Sequence, residues 1–423
     1  MKFKDILLDN KSISYGVVQP GKHTDEGIPL IRVNNIRNGS LILENVLRID
    51  QEIENNYKRT RLTGGELLIT LVGTVAECAI APKSIKDWNV ARAIAVIKVN
   101  SNLVYAEYLK YWLLVNENKN YLISLATTTV QATLNLKDLK EAELQIPTLD
   151  IQKKIISLAA SLDDKIELNN RMNKVLEQMA QAIFKQWFID FEFPNEIGEP
   201  YKSSGGEMIE SVVGMIPFGW KVSDIESLTE LIIDYRGKTP KKLGRNWSET
   251  GIIALSAKNI KNEGLVNLDQ ANRVDEELYN LWMKDELKYG DILLTSEAPL
   301  GELYFKANDD KYCLSQRLFA IRADSSAIIP EILYMYLRTS EVMGEIEGRA
   351  TGTTVTGIRQ SELRKVKVIN PSSDIQARCQ SLLSSVFKKK SVIEKENRKL
   401  INVRNTLLPK LMSGEIDVSN VEL

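Results

Sequence analysis

The chain repeats itself at an offset near 224 residues, and a repeat of that length constrains its architecture more than any other feature. The segment Gly27 to Asn38 (GIPLIRVNNIRN) answers Gly251 to Asn262 (GIIALSAKNIKN). Gly65-Glu66-Leu67-Leu68-Ile69-Thr70 answers Gly290-Asp291-Ile292-Leu293-Leu294-Thr295, Arg92 to Val96 answers Arg317 to Ile321, and Ala126 to Thr129 answers Ala350 to Thr353. The clearest match sets Pro147-Thr148-Leu149-Asp150-Ile151-Gln152 against Pro371-Ser372-Ser373-Asp374-Ile375-Gln376, with four of six positions identical. Such matches, in one order at a nearly constant offset, divide 423 residues into two copies of one unit.

Each copy has two parts. The first, about 150 residues, is mixed and β-rich. Short apolar runs (Glu66 to Val72, Ala93 to Val99, Ile292 to Thr295) lie between Gly, Pro and Asn turn signals, with helical stretches at Tyr105 to Asn116 and Pro330 to Ser340. The second part is one long helix. After Pro147 the stripe Leu162, Ile166, Asn169, Asn173, Leu176, Ala180, Ile183, Trp187 alternates steps of four and three. After Pro371, Cys379, Val386, Ile393, Leu400 and Leu407 recur every seven residues, and this helix is expected to stop near Pro409, with Ser413-Gly414 as its exit. Each helix would be about 50 to 60 Å long. A helix with one apolar stripe must bury it. Two ordinary core helices would do so, but uninterrupted heptads favour an intramolecular coiled coil, its register pinned by Asn169, Asn173 and Asn397.

The expected fold class is α+β: two globular, mixed α/β-rich domains related by an internal pseudo-two-fold repeat and joined by two long antiparallel coiled-coil helices. The expected boundaries are 1–149 for the first domain, 150–190 for the central helix and 191–220 for a connector rich in Pro, Ser and Gly. The second domain takes 221–373, the C-terminal helix 374–412 and a tail 413–423.

Several kinds of chemistry are disfavoured. No run of eighteen apolar residues exists, and Met1-Lys2-Phe3-Lys4-Asp5 resembles neither signal peptide nor anchor, so a cytoplasmic protein without membrane partners is expected. Cys78, Cys313 and Cys379 lie too far apart for a disulfide framework or a metal motif. A His-ligated metal, a Ser-His-Asp triad or a Cys-His pair would each need the single histidine, His23, in a Gly-rich stretch. Gly237-Lys238-Thr239 has Ile232 where a P-loop needs its first glycine, and no G-x-G-x-x-G occurs. The nuclease-like triplets Asp138-Leu139-Lys140 and Asp163-Asp164-Lys165 lack a preceding Pro-Asp, and the second falls in the long helix. No catalytic residue, metal or cofactor is expected of this chain.

The repeated loops point to nucleic acid. Arg32, Asn34, Asn35, Arg37 and Asn38 in the first copy answer Ser256, Lys258, Asn259, Lys261 and Asn262 in the second. Arg and Lys suit phosphate or guanine, and Asn suits adenine. Tyr235 to Lys242, carrying Arg236, Lys238, Thr239 and Lys241, reads as a basic phosphate-gripping loop; its counterpart around Lys22 is less charged. Thr127, Thr128, Thr129 and Gln131, and Thr351, Thr353 and Thr354, form small hydroxyl-rich loops; Thr70, Thr74, Arg92, Ser315, Gln316 and Arg317 complete the candidate set. Asn-Gly turns and Thr-rich caps are common structural features, so the repetition in both copies carries the argument.

With these residues in view, the chain resembles the specificity subunit of type I restriction-modification systems over essentially its whole length. The resemblance rests on the two-fold repeat, the Pro-x-x-Asp-Ile-Gln openings and the helix text Leu168-Asn169-Asn170-Arg171-Met172-Asn173. It also rests on Ile183 to Phe188, Ile216-Pro217-Phe218-Gly219-Trp220, and Leu407 to Ile416. The N-terminus departs from the pattern, opening on Phe3-Lys4-Asp5-Ile6 in place of Pro-x-Gly-Trp. The resemblance implies a non-catalytic DNA-recognition subunit. Its two target-recognition domains would each read half of a bipartite double-stranded DNA site, about one helical turn apart, with the helices as a ruler. It further implies two modification (adenine methyltransferase) subunits on the helices, restriction (motor-nuclease) subunits joined through them, and S-adenosylmethionine, ATP and Mg used by those partners. A coiled-coil adaptor and a stand-alone nuclease or methyltransferase are the alternatives.

The formal net charge of −1 does not oppose DNA binding, because it sums unlike parts. Residues 234–261 hold seven basic and two acidic side chains and the C-terminal helix nine and three, while the connector holds one and five.

Overall fold

The computed structural model describes residues 1–128, 131–262, 264–352 and 355–421. The chain forms two units, residues 1–168 with 397–423, and residues 169–396. Both long helices therefore contribute a segment to each unit.

In the first unit an antiparallel sheet orders its strands Ile13–Tyr15, Ile94–Ile97, Leu67–Thr70 and Cys78–Ile80. Leu67–Thr70 and Ile94–Ile97 are buried at every position, which explains their apolar runs without polar alternation. A second sheet orders Leu47–Ile49, Ile28–Ile31 and Asn89–Val90, the first pair antiparallel and the second parallel. The second unit repeats both sheets: Thr229–Asp234, Leu318–Ala323, Ile292–Ser296 and Leu300–Phe305, then Arg273–Val274, Ile252–Leu255 and Tyr312–Leu314, again antiparallel then parallel. It adds a hairpin, Met208–Ser211 with Gly214–Pro217, and the pair Lys221–Asp224 with Lys367–Asn370.

The helical stretch expected at Tyr105 to Asn116 is the helix Ala106–Leu114, and a second, unexpected helix, Asn116–Ser124, follows after Val115, which is extended (φ −76°, ψ 125°). Pro330–Leu337 and Ser340–Gly348 repeat the break, with the Thr339 hydroxyl accepting the Val342 N–H. The central helix spans Leu149–Phe184 and ends in a wider π-helical turn, Lys185–Ile189. The C-terminal helix spans Ser373–Ser413 and runs through Pro409, contrary to the stop expected there. Leu408 and Leu411 are buried in the first unit's core and hold this last turn helical despite the missing proline N–H. The exit comes at Gly414 (φ 77°), where the Ile416 N–H donates to the Lys410 carbonyl.

Every residue of the expected stripe from Leu162 to Trp187 is buried or half-buried, as are Cys379, Val386, Ile393, Leu400 and Leu407. The two helices are antiparallel in both units. Ala159 clusters with Leu408 and Asp163 pairs with Arg404 in the first; Asn169 pairs with Glu396 and Glu177 with Lys390 in the second. Among the residues expected to pin the register, Asn169 is buried and its amide donates to Glu396 Oε2 at 2.8 Å. Asn173 is half-buried and Asn397 buried.

Candidate nucleic-acid interface

In each unit the repeated loops meet at one end of the large sheet through backbone hydrogen bonds, three of which have counterparts in both units. Leu71 N–H donates to Ala93 O and Leu134 N–H to Leu71 O; Arg92 N–H donates to Val17 O, and Ala91 N–H to Ile31 O. In the second unit Ser296 N–H donates to Arg317 O, Ile358 N–H to Ser296 O, and Ser315 N–H to Leu255 O. Loops distant in sequence thus share one face. The Asn-Gly turn is tied in as well. Asn38 N–H donates to Glu77 Oε2 and Glu77 N–H to the Thr70 hydroxyl, both at 2.9 Å. Asn262, Glu302 and Thr295 repeat that relay at 2.9 and 2.8 Å. Asn38 and Asn262 adopt left-handed backbone (φ 50° and 48°), which asparagine tolerates better than most residues.

Several expected contact residues face inward and drop out of the contact set. Asn35 is buried: its Oδ1 accepts Arg32 N–H and its Nδ2 donates to Ile42 O, each at 2.9 Å. Asn259 does the same, accepting from the Ser256 N–H and hydroxyl and donating to Val266 O. These asparagines shape the loop, and their burial keeps their amides from a base. Thr70 and Ser315 are buried too. Arg236 forms a bidentate pair with Asp234 (2.9 and 2.8 Å) and stacks on Phe319, while Lys238 donates to Trp282 O at 2.6 Å and lies over the Tyr235 ring. Burial pulls the Lys238 pKa below its ordinary value. The expected phosphate grip at these two positions is instead internal bracing.

The surface of the face carries the other candidates. Lys22, Asn34, Arg37, Thr74, Arg92, Thr127 and Gln131 are exposed in the first unit, and Lys241, Lys258, Lys261, Gln316, Arg317 and Thr351 in the second. Arg317 pairs with Glu297 at 3.2 Å across the exposed rim. Arg32, Thr239 and Ser256 are half-buried. Thr129, Thr353, Thr354 and the Thr128 side chain lie outside the described residues. A basic rim around amide and hydroxyl groups suits a duplex, with cations for phosphate and neutral polar groups for base edges. Among the described residues no cluster of three or more His, Cys, Asp or Glu could hold a metal, and no helix is long and apolar enough to cross a membrane.

The profile of the type I restriction modification DNA specificity domain matches residues 16–178 and again 217–403, once per repeat. The chain belongs to this family. It is thus similar in sequence to specificity subunits of type I restriction enzymes. It is 26% identical over 382 residues to the HindI specificity subunit of Haemophilus influenzae, covering 78% of this chain and 82% of that one. It is 25% identical over 358 residues to the MjaIX specificity subunit of Methanocaldococcus jannaschii, covering 84% and 79%. In fold it matches the S subunit of a type I restriction-modification system from M. genitalium, with TM-score 0.57 and 13% identity over 97% of this chain and 95% of that one. A type I specificity subunit is a DNA-recognition protein.

Residue types alone left other parts of the site unread. Glu77 and Glu302 pin the Asn turns, and nothing marks them except their own repetition in the hairpins that follow Thr70 and Thr295. Gln152 and Gln376 were visible as a motif but not as to purpose. Each sits buried at a helix start and ties it to the domain helix ahead of it.

Proposed function

We propose that each unit reads one half of a bipartite double-stranded DNA target and that the helix pair fixes the unread spacer between the halves. The observation that carries this is the repetition: corresponding loops, joined largely by corresponding hydrogen bonds, end the same sheet in both units. Exposed cations orient each unit on phosphate, and Asn34, Gln131, Gln316, Thr74, Thr127 and Thr351 discriminate bases. The chain itself performs no reaction. The helices dock two modification subunits, which methylate adenine with S-adenosylmethionine. Restriction subunits join through them and use ATP and Mg, all in the cytoplasm. Adding or removing four residues in one helix tests the ruler. The tolerated spacer should change while both half-sites stay the same; altered half-sites at an unchanged spacing would contradict it.

A further inference from the structure

Part of the polar bracing in this molecule repeats at the 224-residue offset, as at Gln152 and Gln376, but the ion pairs that join each domain to the long helices do not. In the first unit Asp163, on the central helix, accepts from three groups. Lys110 Nζ and the Tyr111 hydroxyl each bind Oδ2 at 2.9 Å, and Arg404 Nη1 of the C-terminal helix binds Oδ1 at 2.7 Å. Lys110 and Tyr111 belong to the domain helix Ala106–Leu114, so one carboxylate joins domain, central helix and C-terminal helix. In the second unit Glu177, again on the central helix, pairs with Lys390 of the C-terminal helix and, at 2.6 Å, with Arg338 at the end of the domain helix Pro330–Leu337. All these charged side chains are largely buried, between 10% and 23% exposed.

The repeat does not account for either junction. The residues 224 positions from Asp163, Arg404, Glu177 and Lys390 are Phe387, Ala180, Ile401 and Ile166. The same three-way device is therefore built separately in each unit from different residues, at the seam where a recognition domain leaves the helices. Packing alone would be served as well or better by apolar residues, since buried ion pairs add little net stability over them. Their particular contribution is directional, because a carboxylate held from two sides admits one phase of domain against helix pair.

We propose that Asp163 and Glu177 are positioning residues for target spacing, each locking the angle at which its domain is presented to DNA. This rests on the two-half-site reading above and adds that spacing fidelity depends on the domain-side cations, Lys110 and Arg338. The test uses the full chain produced with its partner subunits in a host without other adenine methylation, read by genome-wide methylation mapping. Lys110→Met and Arg338→Met remove the domain-side cation of each clamp and leave Asp163–Arg404 and Glu177–Lys390 in place. Both should keep the half-site bases and raise methylation at spacers one base pair longer or shorter by about tenfold, the scale of one lost charge-assisted contact. Lys110→Arg should restore strict spacing. If both Met variants keep the spacer as strictly as wild type, with overall methylation lowered or not, the residues only support the fold and the proposal is overturned. If Lys110→Met abolishes methylation, Tyr111→Phe, which removes only the neutral donor, decides: relaxed spacing supports the proposal and strict spacing overturns it. Absence of any methylated bipartite motif in cells that make the wild-type chain with its partner subunits would instead overturn the reading on which the proposal stands.

Discussion

The Gln152 side chain accepts the backbone N–H of Tyr105 at 3.0 Å, and its amide donates to Leu103 O and Pro147 O at 3.0 and 2.9 Å. Tyr105 is the N-cap of the first domain helix, so one buried glutamine ties the start of the central helix to the start of its neighbour. Gln376 repeats each contact 224 residues on, accepting from Ile329 N–H and donating to Ala327 O and Pro371 O. Gln152→Leu keeps the volume and orphans three backbone groups, at a cost of roughly 3 kcal/mol. Amide exchange should accelerate around Tyr105 in that variant and around Ile329 in Gln376→Leu, as read by hydrogen exchange.

The distinction between surface and internal cations gives a second expectation. Lys258→Ala and Lys261→Ala should each weaken DNA binding and reduce the salt dependence by about one released counterion. Arg236→Ala should instead lower thermal stability, because Asp234 loses both of its guanidinium bonds and Phe319 its stacked partner. Binding isotherms across a salt series, beside a melting curve, separate the two.

Asp163 and Glu177 also govern the response to acid. Burial raises the pKa of Asp163, but Lys110 and Arg404 outweigh it and hold the carboxyl below its ordinary value; Lys390 and Arg338 do the same for Glu177. A depressed folded-state pKa contributes stability that is present above the unfolded values, 3.8 and 4.5, and is lost as pH falls through the lower folded ones. The melting-temperature gap between wild type and the Asp163→Asn, Glu177→Gln double variant should therefore be full near neutral pH. It should narrow only below about pH 4.5, starting from the unfolded carboxylate range.

Cys78, Cys313 and Cys379 are buried, and burial pushes each thiol up to about 12. A maleimide at pH 8 should label none of them in the native protein and all three in denaturant, as counted by intact mass.

The helices, the repeat and the general position of the repeated loops were legible in the sequence because each leaves a period. The heptad stripe from Leu162 to Trp187 is buried or half-buried throughout. The break at Val115 and the helix running through Pro409 were not legible, since tertiary burial of the flanking residues decides both. Side-chain direction was also hidden. Asn34 and Asn35 are adjacent and alike in composition, yet one is exposed and the other is the loop's internal brace. The same holds for Arg236, whose partner Asp234 is close in sequence but whose stacked ring, Phe319, is not.

The central claim is that this chain selects a bipartite DNA target, and mapping adenine methylation across the host genome with and without its gene tests it most directly. One motif of two fixed half-sites at a fixed spacing should be methylated in the presence of the gene and vanish on its deletion. An unchanged methylation map, or loss of a continuous motif with no unread spacer, would contradict the account.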